Sequence, residues 1–167
     1  MLRFRDAAVT DPDANRMIGE YFAERAAGFP PEQGRYRPTW PDAAQFTPPS
    51  GVFVVVEDES GEAVGCGGVR RIPPADDGRV RYEVKHLWLA PAARGRGGGR
   101  ALLQELERRA VAFGAEELVL DTNASLSAAG GLYAASGYVA IEPYNDNPNA
   151  TNWYGKRVEP AAGGASA

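Results

Sequence analysis

The chain has 167 residues, 44% of them apolar and 24% charged, with a net charge of −4. That balance fits one globular domain with a sizeable core and speaks against a general nucleic-acid binder. A single cysteine, Cys66, and a single histidine, His86, exclude an intrachain disulfide framework and a conventional zinc site. No apolar run reaches membrane-spanning length, and the amino terminus has no signal-peptide core. The expected location is therefore the cytoplasm, with no membrane partner.

Leu2-Arg3-Phe4-Arg5 alternates apolar and charged residues and predicts a short first strand. Asp11 offers a helix N-cap, with Pro12 at the first helical position. Ala14, Ile18, Tyr21 and Phe22 then recur at helical spacing up to Gly28. From Phe29 to Gly51 the chain holds six prolines, with Tyr36, Trp40 and Phe46 among them. This segment is too proline-rich for a long helix or an inner strand. It reads as a surface connector or as the wall of a substrate site.

Val52-Phe53-Val54-Val55-Val56 predicts a buried strand, and Ala63 to Ile72 its antiparallel return. Gly65, Gly67 and Gly68 interrupt the return and mark a bulge or a close backbone approach. Arg79 to Leu89 is the longest strand candidate. It runs into Arg94-Gly95-Arg96-Gly97-Gly98-Gly99-Arg100, and Leu102, Leu106, Ala110 and Phe113 place an apolar helix face beyond that loop. Glu117 to Asp121 predicts a strand parallel to the one before the loop, because a helix joins the two. Ser125 is placed as the cap of a small-residue helix from about Leu126 to Ser136. Tyr138 to Ile141 and Trp153 to Val158 are the last strands, with a polar loop between them.

A strand, a glycine loop and a helix N-terminus in that order form an anion site. The loop brings the backbone close to a ligand, and the first helical turn points free N–H groups at it. Counting from Gly95, the last position of a dinucleotide fingerprint falls on Arg100, and the Gly-Lys-Ser/Thr ending of a nucleotide loop is absent. What remains is Arg94-x-x-Gly97-x-Gly99. This spacing resembles the acyl-CoA-binding motif of the GNAT superfamily of N-acetyltransferases. Glu83 to Pro91 resembles the family's fourth strand. Ala129-Gly130-Gly131-Leu132-Tyr133-Ala134-Ala135-Ser136-Gly137-Tyr138 is similar to its Ala-x-x-Leu-Tyr-x-x-x-Gly-Phe. Gly98 departs from the pattern, standing where a branched apolar residue is common. Leu126 departs too, replacing an asparagine often seen there.

The resemblance implies an α/β fold with a mixed, largely antiparallel central sheet flanked by helices, and a parallel strand pair either side of the CoA-binding helix. Residues 1–158 would form one domain, with 159–167 a disordered tail. It implies an enzyme that transfers the acetyl group of acetyl-CoA to the primary amine of a small molecule, or less readily of a peptide or protein, in a ternary complex, without a metal. The rival reading is a CoA-binding sensor that no longer turns over. CoA would be held by Leu87, Trp88 and Leu89 through backbone pairing and by Arg94, Gly95, Arg96, Gly97, Gly98, Gly99 and Arg100. A bulge near Leu89 would polarise the thioester carbonyl. Tyr133 is the candidate acid beside the CoA sulfur, and Glu83 the candidate base, directly or through water. Tyr36, Trp40, Glu83, Tyr144 and Asn145 are the candidate acceptor pocket. Simple alternation sets His86 on the opposite face from Glu83, unless a bulge in the strand changes this. The oligomeric state is not fixed, and a homodimer stays open.

Overall fold

The computed structural model describes residues 1–162. The last five residues of the expected tail lie outside the described residues. Seven strands form one sheet: β1 (Arg3–Asp6), β2 (Gly51–Glu57), β3 (Ala63–Ile72), β4 (Arg81–Leu89), β5 (Glu117–Thr122), β6 (Val139–Ala140) and β7 (Asn152–Arg157). Their order is β1-β2-β3-β4-β5-β7-β6, and the β4–β5 pair is parallel while its neighbours are antiparallel. Among the described residues three α-helices flank the sheet: α1 (Pro12–Ala27), α2 (Gly98–Ala112) and α3 (Ser127–Ala135).

β2 is an unbroken apolar run because both of its faces are covered. Val52, Val54 and Val56 join the core under α2, while Phe53 and Val55 join the cluster under α1. On the α2 side, Leu102, Leu103 and Leu106 are fully buried, each removal from water being worth about 1.5–3 kcal/mol. That helix sits close to β3 because Gly67 has no side chain. A Cβ there would meet Leu106 Cδ1 at 2.9 Å. α1 begins as expected, with the Asp11 carboxylate accepting from the amides of Asp13 and Ala14, and Pro12 at the first position. α3 departs from expectation. Leu126, not Ser125, stands at its cap and makes no side-chain bond there, while the Ser125 amide donates to Asn123 Oδ1 at 3.0 Å.

Two irregularities in β4 create the site. The bulge lies at His86 and Leu87, two residues set against Gly67 between the pairs Gly68↔Lys85 and Cys66↔Trp88. It is not near Leu89 as the sequence suggests. His86 adopts φ 56, a left-handed conformation uncommon for a residue with a side chain, and this breaks the alternation of the strand. The second irregularity is the short ladder between β4 and β5, which pairs only Arg81↔Glu117, Tyr82↔Leu118 and Glu83↔Val119. Beyond Glu83 no backbone pairing joins the two strands among the described residues, and a cavity opens there.

Candidate active site

The cavity encloses about 540 Å³ and is walled by α1, the proline-rich segment, β4, the end of β5, α3 and the loop of residues 145–150. Between β4 and β5 its floor is a charged layer. Lys85 Nζ donates to both oxygens of Asp121 at 3.0 Å and lies 3.4 Å from Glu83 Oε2. Asn145 Nδ2 donates to Asp121 Oδ2 at 2.7 Å and is itself oriented by Trp153 Nε1, which donates to its Oδ1 at 2.9 Å. Burial pushes the Asp121 carboxyl up, but Lys85, Asn145 and Asn147 outweigh it and hold the group below the usual carboxylate range.

Glu83 is 1% exposed and stands behind this layer, outside the cavity lining. Its partners are Arg70, on the paired position of β3, at 2.8–2.9 Å, the Tyr144 hydroxyl at 2.6 Å, and Lys85. Tyr144 is also outside the cavity. It lines a cleft with Arg79, Arg81 and Glu117, its ring 5.8 Å from the Arg81 guanidinium carbon. Of the expected acceptor residues, Tyr36, Trp40 and Asn145 reach the cavity, while Glu83 and Tyr144 support its floor from behind.

Tyr133 projects from α3 into the cavity. Burial pushes its hydroxyl up to about 12, with Asp121 adding to the effect, so it carries its proton at neutral pH. His86 enters the same cavity because the bulge rotates it there. It packs edge-on against Tyr21 and Phe22, at 5.8 and 5.7 Å between ring centres. Burial, reinforced by Lys85 and Arg70, pulls its pKa down to about 3, so the imidazole is neutral and a weak base. Cys66 is buried, its thiol 3.4 Å from the His86 carbonyl and pushed up by burial, which does not suit a nucleophile.

The proline-rich segment is a wall. Trp40 packs edge-on against Phe22 at 5.2 Å, and Tyr36 lies against Phe22 and Phe29. Asn149 fastens the segment from the other side, accepting from the Arg37 amide at 2.9 Å and donating to its carbonyl at 2.7 Å. Asn123 Nδ2 adds a second tie, to Gln33 Oε1 at 2.7 Å.

At the far end of β4, Gly95 and Gly97 take φ 81 and 77, a left-handed conformation that lets the loop turn into α2. No carbonyl or side chain among the described residues accepts from the amides of residues 95 to 100. Gly98 is buried at the start of α2, and a Cβ there would meet Leu2 and Leu89 methyls at 2.9 and 3.0 Å. The branched residue missing at this position is thus replaced by packing from Leu2 and Leu89. Arg94 is engaged elsewhere. Its Nε donates to the Leu89 carbonyl and its Nη2 to both oxygens of Glu24, at 2.7–2.9 Å. Arg96 and Arg100 are exposed, and among the described residues they have no ion-pair partner.

The comparisons with known proteins agree with this geometry. The model of the Acetyltransferase (GNAT) family matches residues 15–138. The chain belongs to the GNAT acetyltransferase family. It is 35% identical over 104 residues to an uncharacterised N-acetyltransferase of Schizosaccharomyces pombe, over 62% of this chain and 61% of that one. It is also 35% identical over 98 residues to an IAA acetyltransferase of Azospirillum brasilense, over 56% and 61% of the two chains. The chain thus spans about three fifths of the length of these curated relatives. A Klebsiella pneumoniae structure assigned as an acyl-CoA N-acyltransferase superposes with a TM-score of 0.71 at 27% identity, covering 94% of this chain and 97% of that one. A phosphinothricin acetyltransferase of Sinorhizobium meliloti, solved with acetyl-CoA, gives 0.69 at 22% identity over 97% and 94%, which shows a shared fold.

The residues present fit the acyl-CoA of a GNAT fold. Free amides at Gly95 to Arg100, at the positive end of α2, suit a pyrophosphate, with Arg96 and Arg100 beside them. The unpaired edge of β4 near Leu87 suits an extended amide-bearing arm. Trp88 and Leu89 fit less well. The Trp88 indole is buried under α1 and donates to Glu24 at 2.6 Å, and the Leu89 carbonyl is already taken by Arg94. The sequence reading did not single out Arg70, Lys85 or Asp121, and it set His86 aside by strand alternation. An acid ending the apolar run Leu118-Val119-Leu120-Asp121 was the one available signal.

Proposed function

We propose that this protein transfers the acetyl group of acetyl-CoA to the amine of a small molecule. The observation that carries the reading is Tyr133. It is a buried hydroxyl held in its protonated form, set in the cavity where β4 and β5 part, beyond a loop of free amides. Acetyl-CoA supplies an activated thioester; the protein's part is to orient it and to move two protons.

The acceptor must attack as a free amine. Its proton leaves by way of water at the charged floor, where Asp121 holds the ammonium by its charge. Glu83 acts on it only through Lys85, Asn145 and water. As the new C–N bond forms, the C–S bond breaks, and Tyr133 gives its proton to the departing sulfur. Backbone N–H groups at the His86–Leu87 bulge favour charge developing on the carbonyl oxygen. A small acceptor is favoured by the cavity's volume of about 540 Å³ and by Asn149 and Asn123, which tie down the proline-rich wall.

The test is an acceptor screen with acetyl-CoA that follows free thiol and the mass of the acetylated amine. Turnover with at least one small amine, lost in Tyr133→Phe while acetyl-CoA still binds, is the expected result. Thiol release with no acetylated amine, or equal rates in the two proteins, would overturn it.

A further inference from the structure

Arg25 stands in the last turn of α1, 8% exposed, on the wall of the cavity. No carboxylate among the described residues lies within ion-pair distance of it. A buried cation without a counter-ion is unusual, because desolvation is normally offset by a paired charge. The adjacent acid cannot serve: Glu24 is committed to Trp88 and Arg94. What Arg25 has instead is the Tyr36 ring, 5.3 Å from its guanidinium carbon, and the carbonyl end of its own helix. Both supply only partial negative charge.

Its charge is directed at the site. Arg25 opposes the upward push of burial on the hydroxyls of Tyr21, Tyr36 and Tyr133, all three of which line the cavity. The cavity as a whole is also short of anions. Arg25, Arg37, Arg70 and Lys85 face Asp42 and Asp121, with Glu83 behind. This positive excess stands in a chain of net charge −4, so overall composition does not explain it.

We propose that the acceptor is an amine that also carries a carboxylate, as an amino acid does, and that Arg25 receives that carboxylate and sets the specificity. The planar guanidinium fork matches a carboxylate in two parallel hydrogen bonds. Tyr21, Phe22 and Trp40 leave an aromatic wall for the rest of the molecule. The proposal rests on the acetyltransferase reading above. The cofactor phosphates are a different anion, bound in that reading by the loop at residues 95–100.

The test uses the full chain, acetyl-CoA and matched acceptors: amino acids, their carboxamides and the corresponding decarboxylated amines. Wild type should favour the acids by about tenfold or more in kcat/KM, and Arg25→Gln should erase that preference, acting mainly on the acids. Arg25→Lys should keep part of it. Amides as good as acids, an equal loss on both classes, or an effect confined to the KM of acetyl-CoA would overturn the assignment. A second arm needs no turnover: N-acetyl amino acids, but not N-acetyl amino-acid amides, should raise the melting temperature of wild type and not of Arg25→Gln. If acetyl-CoA binds but no amine is acetylated, the transferase reading fails. Arg25 is then judged by the melting arm, where no shift with any carboxylate refutes it.

Discussion

Glu83→Gln separates an anchor from a base. In the structure this carboxylate is the shared acceptor of Arg70, Lys85, Tyr144 and Asn145. Removing its charge leaves two cations facing an amide that cannot accept from all four donors. Breaking a buried ion pair costs about 3–5 kcal/mol. The Arg70 and Lys85 side chains are 29% and 18% exposed, so water takes up part of the loss. A cost of about 2–3 kcal/mol remains, which for a domain of this size lowers the melting temperature by about 5–10 °C. Thermal unfolding of both proteins, with and without acetyl-CoA, measures it, and turnover is read well below the transition. A variant that melts with wild type while losing kcat would refute the reasoning, because Glu83 would then be a free catalytic group and not the centre of the floor.

Tyr133→Phe should lower kcat by about 10²–10³-fold with acetyl-CoA affinity little changed, as steady-state rates and a binding titration would show. His86 makes stability pH-dependent. Its folded pKa of about 3 lies below the unfolded 6.5, so its contribution is complete above pH 6.5 and is lost as pH falls toward 3. Replacement by Asn, which tolerates the positive φ, should flatten that acid loss in denaturant unfolding at a series of pH values. An unchanged slope would contradict the assignment. Gly97→Ala places a side chain at φ 77 in open space, so it should cost about 1–2 kcal/mol from the backbone alone and weaken acetyl-CoA binding. Gly98→Val should destabilise by collision with Leu2 and Leu89, and Leu2→Ala should relieve it; a double variant no more stable than the single one would argue against that contact.

The elements and the family were legible because their signals are local. Helical spacing in α1 and α2, the apolar run of β2, the glycine loop and the Leu132-Tyr133 segment each lie within one stretch of chain. The floor was not, because Arg70, Glu83, Lys85, Asp121 and Asn145 meet from β3, β4, β5 and a distant loop. Glu83 was singled out as the candidate base, and the structure sets it behind the cavity; no spacing rule shows that Arg70 and Tyr144 stand around it or that Asp121 fronts the cavity. His86 was set on the wrong face because alternation assumes a regular strand, and one left-handed residue breaks it. The proline-rich segment was open between connector and wall. The contacts of Asn149 and Asn123, roughly a hundred residues away, hold it against the cavity, which the sequence alone does not reveal.

In the proposed function, acetyl-CoA lies with its phosphates on the free amides of Gly95 to Arg100 and its thioester end where β4 and β5 part. Backbone amide hydrogen exchange with and without CoA tests this most directly. It should show new protection at residues 95–100 and along β4 at Leu87, and no comparable change in the cleft around Tyr144 and Arg81. Protection confined to that second cleft, or none at any position under saturating CoA, would contradict it.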